Sequence, residues 1–341
     1  MGKISSGELA LIGAIRRRAA SAPASGLRLG IGDDCALLRP RPHEDLAVTT
    51  DLSIDSQHFR LDWHPPQSVG HRALARGLSD LAAMGARPVA AFLSLGLPRS
   101  LAAQRGAGWI DGFLDGLLAL AAQHQTPLAG GDVAESPTAL ADIVLTGAVR
   151  RGRALLRSGA RAGDRLFVTG SLGGSAAALA TLMQMASARQ LPPPQPGVPR
   201  PLKIPAKLAV QLAPHLYPQP RVAQGLALAR RRLATACIDL SDGLSTDLAH
   251  LCEESGVAAV VDAAALPLAP GASLEQALHG GEDYELLFTA AAGARAPRAI
   301  AGVAITEIGR IVRRRASQPA VQLKTAHGTQ PLQRRGWEHF A

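Results

Sequence analysis

The chemically reactive groups of this chain are mainly carboxylates in short runs close to glycine. Residues 29–38 (LGIGDDCALL) and 47–55 (AVTTDLSID) carry four of them, which are Asp33, Asp34, Asp51 and Asp55. Hard cations such as Mg²⁺ prefer several oxygen ligands on a rigid frame, so these runs favour a cation site. The alternative is that each Asp closes or caps a polar turn, which is a common role for a single Asp. The cation site therefore needs support from acids elsewhere in the chain.

Further acids recur later in the chain. Asp80 lies in a predicted helix, where an acid is costly to bury unless it is paired or metal-bound; the alternative is an Asp at the helix edge that faces water. Asp132 follows Gly130-Gly131, and paired glycines let a backbone approach a phosphate or metal closely, although they also serve in ordinary turns. The second half repeats Leu-Ser-Asp and Gly-Gly beside four more acids, which are Asp239, Asp242, Glu282 and Asp283.

Acids in this number, with little lysine, are typical of one kind of phosphate chemistry. A ring of Asp alone would repel a phosphate, whereas Mg²⁺ ions bound first would make the same ring a scaffold for polyphosphate oxygens. Phosphoryl transfer requires alignment and charge neutralisation above all. A Gly-rich segment at 170–175 resembles a phosphate loop, but no Gly-Lys-Ser/Thr occurs in the chain, so we predict a structural turn there.

Length and composition limit the class of protein. The 341 residues exceed what one core usually organises, so we predict two domains, at 1–150 and 151–341. The net charge of +9 comes almost wholly from Arg; the Arg runs at 16–18, 230–232 and 313–315 are separate and have few aromatic neighbours, which disfavours nucleic-acid binding. Three Cys without a close pair, no membrane-spanning apolar run and no signal-peptide pattern predict a cytoplasmic protein that binds no membrane.

Periodicity predicts an α/β (α+β) chain that carries the acids on strands, helices and the turns between them. We predict helices at 8–20, 66–84, 101–123 and 244–254, and strands at 46–50, 89–97, 127–129, 141–149, 166–169, 236–240, 257–261, 284–289, 306–312 and 321–323. The strands of the first half have more apolar surface than their helices cover, and an exposed sheet is a liability. This excess favours a homodimer.

Eight motifs, in order and across nearly the whole chain, resemble the thiamine-monophosphate kinase family of the aminoimidazole ribonucleotide synthetase superfamily. They are LGIGDDCALL at 29–38, TTD at 49–51 with His58 shortly after, LSDLAAMGA at 78–86, GGD at 130–132, RSGA at 157–160, IDLSDGL at 238–244, GGEDYEL at 280–286 and the tail around Trp337. The resemblance implies a two-domain fold of that superfamily, with an N-terminal sheet that pairs across a homodimer and a C-terminal α/β domain. It also implies direct transfer from ATP to thiamine phosphate, giving thiamine diphosphate and ADP.

The resemblance also implies roles for individual residues. It places several Mg²⁺ ions on a shell made of Asp34, Thr49, Thr50, Asp51, Asp80, Asp132, Asp239 and Asp242. Among these, the residues expected to act in catalysis are Asp51, Asp80, Asp132 and Asp239. The expected ATP contacts are Gly131, Asp132, Arg157 and Ser241, and the expected thiamine phosphate contacts are His58, Glu282 and Trp337.

Two departures from the family pattern, one alternative role for Trp337 and two alternative functions remain. Arg76-Gly77 stands where relatives often carry Asn, and the segment near Pro192 looks like extra length; we expect neither to touch an assigned ligand. Trp337 could instead be an exposed anchor that docks the terminus. The alternative functions are another ATP-using enzyme of the superfamily, similar to aminoimidazole ribonucleotide synthetase, and an Arg-rich nucleic-acid-binding protein, which would leave the acid clusters unexplained.

Overall fold

The computed structural model describes residues 8–19, 26–31, 35–103, 107–189, 197–315 and 318–337. The chain divides into two compact units that alternate along the sequence. The first unit takes residues from 1–78, 88–148 and 181–209, and the second takes 79–87, 149–180 and 210–341. The domain boundary at residue 150 stays a prediction. No helix among the described residues has the length and apolar character needed to span a bilayer.

The first unit contains a four-stranded sheet of order β3-β6-β4-β5, in which β4 and β5 are parallel. Its helices are α1 (Glu8–Ala19), α2 (Pro66–Ala83), α3 (Arg99–Ala102) and α4 (Ala107–Gln123). Its strands are β3 (Glu44–Ile54), β4 (Arg87–Leu97), β5 (Leu128–Glu135) and β6 (Leu140–Arg150), and β1 (Leu27–Leu29) with β2 (Leu37–Leu38) forms a separate antiparallel pair.

Helix α2 is fixed at its end and along its length. It begins at Pro66, where the missing N–H costs nothing. Beyond it, Gly85 has φ +63 and donates its N–H to Ala82 O, as the glycine after a helix C-terminus commonly does. Along the helix, a Cβ on Gly70 would lie 1.9 Å from Phe113 O on α4. The two helix backbones therefore touch, and α2 cannot slide along α4.

Strand β3 lies at one edge of the first sheet and is exposed along one of its faces. Leu46, Val48 and Leu52 are 45%, 58% and 44% exposed, whereas Ser53 on the alternate side is buried. Successive side chains of a strand point to opposite faces. The strand therefore presents an apolar row on one face and, on the other, Thr49, Asp51 and Ser53.

The second unit contains a larger sheet of order β14-β13-β9-β12-β7-β10-β8, with β11 paired to β12. Its strands are β7 (Arg165–Thr169), β8 (Ala236–Asp239), β9 (Val257–Asp262), β10 (Leu286–Ala290), β11 (Ala299–Ile300), β12 (Val303–Arg313), β13 (Val321–Thr325) and β14 (Gly328–Pro331). The helices of this half of the chain are α5 (Gly174–Ala188), α6 (Ala209–Leu216), α7 (Val222–Arg231), α8 (Leu244–Glu254) and α9 (Leu274–His279), with 3₁₀ turns at Ala206–Leu208 and Ala263–Ala265.

The core of the second unit lies between this sheet and α8. One face of the sheet contributes Leu166, Val168, Ile238 and Leu287, which form a buried cluster with Leu248 of α8. On the alternate positions of β7 and β10, Phe167 and Phe288 stack with ring centroids 5.3 Å apart. Both faces of β7 and β10 are therefore apolar and buried. Strand β8 pairs with β10, so the strand and the loop that follows it are attached to a well-packed part of the sheet.

Four sequence-based boundaries were wrong in informative ways. Strand β3 does not end at Thr50 but continues to Ile54, because the apolar alternation continues through Leu52. Strand β5 runs through Gly-Gly-Asp to Glu135 instead of ending before it. The helix predicted at 101–123 is divided into α3 and α4. The strand predicted from Tyr284 begins at Leu286, because Tyr284 has φ 50, a left-handed backbone that cannot continue a strand.

Candidate active site

The predicted ligands of β3 do not all point the same way. Thr49 and Asp51 share one face and are half-buried, whereas Thr50 lies on the opposite, exposed face with the apolar row. The backbone carbonyl of Thr50 is thus better placed than its hydroxyl to serve a group bound beside Asp51. Asp34 lies outside the described residues.

Asp51 is paired with an arginine on α2. Its Oδ1 lies 3.3 Å from Arg76 Nε, and the two side chains are 20% and 19% exposed. Our expectation that Arg76-Gly77 touches no assigned ligand is therefore wrong for Arg76. At Gly77 a Cβ would lie 2.8 Å from Leu145 Cδ1, so the close packing of α2 explains why a small residue stands there.

His58 is held by the turn that follows β3. Its Nδ1 accepts the N–H of Ile54 at 3.1 Å, which assigns the ring proton to Nε2. The buried Arg72 donates to His58 O at 3.0 Å. In the same turn, Asp55 Oδ1 accepts the N–H of Leu61 at 3.1 Å, and burial raises the pKa of Asp55. Asp55 therefore closes the turn, in agreement with its lack of an assigned ligand role.

Gly131 and Asp132 are exposed on β5 beside a cavity of about 500 Å³. Gly131 has φ +148, and a Cβ there would lie 1.8 Å from Leu93 O, so only glycine fits. Asp132 Oδ1 accepts the N–H of Val133 at 2.8 Å. The cavity walls are largely apolar, and besides Gly131 and Asp132 they include Ile12, Ile15, Arg16, Ile31, Phe92 and Leu128.

In the second unit, Asp239 ends β8 with only 3% of its surface exposed. Ser79 Oγ donates to its Oδ2 at 2.6 Å. The half-buried Asp80 follows Ser79 on α2. Three residues beyond Asp239 comes Asp242, which begins the tight turn into α8. Asp239 is thus rigidly placed, because it is both buried and bonded to a helix hydroxyl.

Sequence reasoning missed Asp247, the acid that fixes this turn. Its Oδ2 accepts the N–H groups of Asp242 at 3.1 Å and Gly243 at 3.0 Å. Burial, together with the negative charges of Asp239 and Asp242, raises the pKa of Asp247 well above its usual value. The available signal in the sequence was the position of Asp247, four residues after Gly243. From there its carboxylate can accept the backbone N–H groups at the start of α8.

The sequence analysis named Asp283 among the acids of the second half but assigned it no role. Its carboxylate accepts the N–H of Gly173 at 2.6 Å and of Ser175 at 3.1 Å, so it fills the anion-binding loop that precedes α5. The structural turn predicted for this loop is confirmed. Burial raises the pKa of Asp283 to about 7. The Gly-rich loop and the GGED segment are therefore joined through this one carboxylate.

The remaining predicted contacts surround the turn after β8, apart from Arg157, which is exposed on a loop. Glu282, at φ 64, donates its N–H to Ser241 O at 2.7 Å. Trp337 is 51% exposed, and its backbone N–H donates to Asp242 O at 3.1 Å. The turn at 239–243 thus brings together the predicted metal, ATP and substrate residues of the second unit.

The donor set has the chemistry that Mg²⁺ requires. The predicted ligands are all carboxylate, hydroxyl and carbonyl oxygens. Asp239 and Asp242 also lie close enough to Asp247 that their charges add to burial in raising its pKa. Across the described ranges, no three His, Cys, Asp or Glu side chains stand in an arrangement that could hold a metal ion. The oxygen donors fit Mg²⁺ by type, while a closed cage of protein ligands is not built.

Comparison with known proteins places both parts of the chain. Residues 32–149 match the family model of the AIR synthase related protein, N-terminal domain, and residues 161–322 match that of its C-terminal domain. The chain is 41% identical over 268 residues to the thiamine-monophosphate kinase of Salmonella typhimurium, which covers 76% of this chain and 75% of that protein. The predicted two-domain α/β (α+β) fold of the aminoimidazole ribonucleotide synthetase superfamily is thereby confirmed.

Solved structures are similar over almost the full length. The thiamine-monophosphate kinase from Stenotrophomonas maltophilia K279a superposes with a TM-score of 0.75 at 39% identity, covering 92% of this chain and 95% of that one. AaThiL complexed with AMPPCP and TMP gives a TM-score of 0.73 at 29% identity, covering 98% and 97%. The likeness therefore includes the strands and turns that carry the acids described above.

Proposed function

The chain belongs to the thiamine-monophosphate kinase family and is a phosphotransferase, and on that premise we propose that it transfers the γ-phosphoryl group of ATP directly to thiamine phosphate, with several Mg²⁺ ions bound. The observation that carries the proposal is the turn at 239–243. It holds Asp239 and Asp242 and is bonded through its backbone to both Glu282 and Trp337. One rigid element thus joins cation ligands to residues for the acceptor.

In this proposal the Mg²⁺ ions are held by oxygen ligands. These are the side chains of Asp34, Thr49, Asp51, Asp80, Asp132, Asp239 and Asp242 and the carbonyl of Thr50. When bound, Mg²⁺ supplies charge neutralisation and bridges phosphate oxygens. The catalytic role of Asp51, Asp80, Asp132 and Asp239 in this proposal is to fix that charge in place.

Direct transfer agrees with the arrangement around Ser175, one of the serines of the second unit that lie beside a histidine. Ser175 Oγ lies 3.0 Å from His215 Nδ1, and Glu282 Oε2 lies 3.6 Å from the same nitrogen. A relay needs the base and its orienting acid on different ring nitrogens, so these three residues do not form one. The acceptor is itself a phosphate, already ionised at neutral pH, and requires no general base.

ATP has a suitable place in the first unit. The cavity of about 500 Å³ beside Gly131 has apolar walls that suit an adenine ring. The backbone of Gly131 lines this cavity. We assign Asp132, Arg157 and Ser241 to the phosphates, since an Arg guanidinium recognises phosphate oxygens through paired donors.

Thiamine phosphate is recognised by three side chains in this proposal. Trp337 offers an exposed aromatic face to the thiazolium cation. Glu282 supplies a carboxylate of opposite charge, and His58 supplies the N–H that its hydrogen bond from Ile54 leaves on Nε2. Substitution of any of the three should change the KM for thiamine phosphate, whereas the KM for ATP should stay at the wild-type value.

We also propose a homodimer that forms through β3 and works in the cytoplasm. The apolar row of Leu46, Val48 and Leu52 is exposed on an edge strand, which is the kind of surface that a second copy covers. Val48→Asp should give a monomer by light scattering while the wild type is a dimer. A wild-type monomer that is fully active at micromolar concentration would contradict the dimer.

The function is tested by incubating the protein with ATP, Mg²⁺ and thiamine phosphate and measuring thiamine diphosphate by chromatography. We expect product only when all three are present, and loss of product on chelation of Mg²⁺. Failure to form thiamine diphosphate under these conditions would overturn the function. In a second assay, γ-³²P-labelled ATP alone should leave the protein unlabelled; a labelled enzyme formed fast enough to be an intermediate would overturn direct transfer.

A further inference from the structure

The C-terminal segment 335–337 lies with its backbone against the start of α8. Gly336 N donates to Thr246 Oγ1 at 3.2 Å, and Trp337 N donates to Asp242 O at 3.1 Å. The N–H of Arg335 is also directed at Ser245 Oγ, at 3.5 Å. Successive amides of the tail are thus hydrogen-bonded to one short stretch of the second unit.

Gly336 is the residue that permits this approach. A Cβ at this position would lie 2.1 Å from Asp242 O and 2.5 Å from Thr246 Oγ1. Both distances are far below van der Waals contact, and the carbonyl belongs to a backbone that cannot turn aside. Any side chain at 336 must therefore move the tail away from the turn at Asp242.

The turn that receives the tail is itself held from the other side. Asp247 accepts the N–H of Asp242, while Trp337 donates to the carbonyl of the same residue. The adjoining Ser241 O accepts the N–H of Glu282. The backbone position of Trp337 is thus set by the turn that also carries Asp239, Asp242 and the contact to Glu282.

We infer that Gly336 is a positioning residue for the acceptor: its lack of a side chain seats the tail on Asp242 so that the Trp337 ring is presented to thiamine phosphate. The inference deepens the proposed function and rests on its assignment of Trp337 to the acceptor. A tail that merely anchors the terminus would contribute to stability alone. The two roles separate in a comparison of KM for the two substrates.

The test compares Gly336→Ala with Gly293→Ala, a matched control in the same unit whose Cβ would meet no atom within 4 Å. Gly336→Ala should raise KM for thiamine phosphate by about 10-fold, within the range expected when an aromatic face is lost from a cation. Its KM for ATP should stay at the wild-type value. Hydrogen exchange should show faster exchange at the amides of 336 and 337, whereas Gly293→Ala should match wild type throughout.

A second pair of variants removes the docking bond without a clash. Thr246→Ala deletes the acceptor for Gly336 N, and Thr246→Ser retains it. We expect a smaller rise in KM for thiamine phosphate in the first and wild-type behaviour in the second. Calorimetric titration of thiamine phosphate gives the same comparison as a dissociation constant and does not depend on turnover.

Several results would overturn the inference. They are slow exchange at 336 and 337 in Gly336→Ala, fast exchange with an unchanged KM for thiamine phosphate, and equal rises in KM for both substrates. If the wild type is active and Gly336→Ala behaves like it, the positioning role fails and the proposed function stands. If the wild type neither binds nor phosphorylates thiamine phosphate, both fail.

Discussion

The carboxylates at Asp51 and Asp239 are predicted to do the same work, yet their surroundings differ. Asp51 lies in the middle of an edge strand, with its side chain 20% exposed and a guanidinium 3.3 Å from one oxygen. Asp239 is 3% exposed at the end of β8, where a serine hydroxyl donates to it. Close to Asp239 lie further acids, Asp242 and Asp247. One region supplies a positive charge from the chain, and the other gathers negative charge.

The two regions differ in how the negative charge of their carboxylates is offset in the absence of substrate. Two like charges about 4 Å apart repel by about 4 kcal/mol at an effective dielectric of about 20. Near Asp239, burial first and then the charges of Asp239 and Asp242 raise the pKa of Asp247. Near Asp51 the arginine of α2 offsets the charge. The second region therefore has the stronger electrostatic demand for a bound cation.

Asp51→Asn should have the largest effect, because it keeps the shape of the side chain and removes the charge that a cation needs. We expect turnover to fall to background with the fold intact, measured as kcat at saturating Mg²⁺ and by circular dichroism. Asp55→Asn is the matched control, at the first residue beyond the end of the same strand. Asp55 serves the Leu61 amide, so its variant should stay close to wild-type activity. Normal turnover in Asp51→Asn would refute its assignment.

Asp283 should make the stability of the second unit depend on pH. Burial raises its folded pKa to about 7, above the usual value of 3.8 for an Asp carboxyl, so between these values the folded state binds more protons than the unfolded state. Stability is therefore fully present below about pH 4 and is lost as pH rises through about 7, by up to about 4 kcal/mol. Asp283→Asn should flatten this slope in urea unfolding at about pH 5 and about pH 7.5. An unchanged slope would show that Asp283 does not carry it.

Trp337→Ala tests whether the aromatic face serves the acceptor in the second region. Loss of a cation–π contact of about 0.5 to 2 kcal/mol should raise KM for thiamine phosphate by about 2- to 30-fold. The KM for ATP should hardly change, because the ring is not assigned to the nucleotide. Steady-state kinetics with each substrate varied in turn decide the matter. Equal changes in both values, or only a lower Tm, would make Trp337 a structural anchor.

Much of the second region was predictable, because its acids follow strands whose apolar pattern is plain. The apolar runs at 236–240 and 257–261 predicted β8 and β9. Helix α8 was predicted at its observed bounds. The functions of Asp247 and Asp283 were not predictable, since both depend on which backbone amides the fold leaves in need of an acceptor. A sequence pattern shows side chains and periodicity but not those amides.

In the first region the limits were different. The apolar alternation predicted β3, but the polar Thr-Thr-Asp run was interpreted as its end, and the strand continues because pairing within the sheet outweighs local polarity. The contact between Arg76 and Asp51 joins residues 25 apart in sequence. It depends on how α2 packs beside β3, and the close approach at Gly77 that sets this packing is visible only in three dimensions.

The smallest predicted effect concerns the arginine that distinguishes the two regions. Arg76 neutralises Asp51 and, as a cation, opposes the arrival of Mg²⁺ at the same carboxylate. A partly exposed pair of this kind is worth up to about 1 kcal/mol, so Arg76→Ala should lower the half-saturating Mg²⁺ concentration by about 2- to 5-fold.

Arg76→Lys keeps the charge and should stay near the wild-type value. Calorimetric titration of Mg²⁺ into the nucleotide-free protein should show the same order of affinities as the kinetics. A higher Mg²⁺ requirement in Arg76→Ala would reverse the interpretation, because it would mean that the guanidinium orients Asp51 for the metal instead of competing with it. The first region would then resemble the second, where neighbouring donors fix the acid in place.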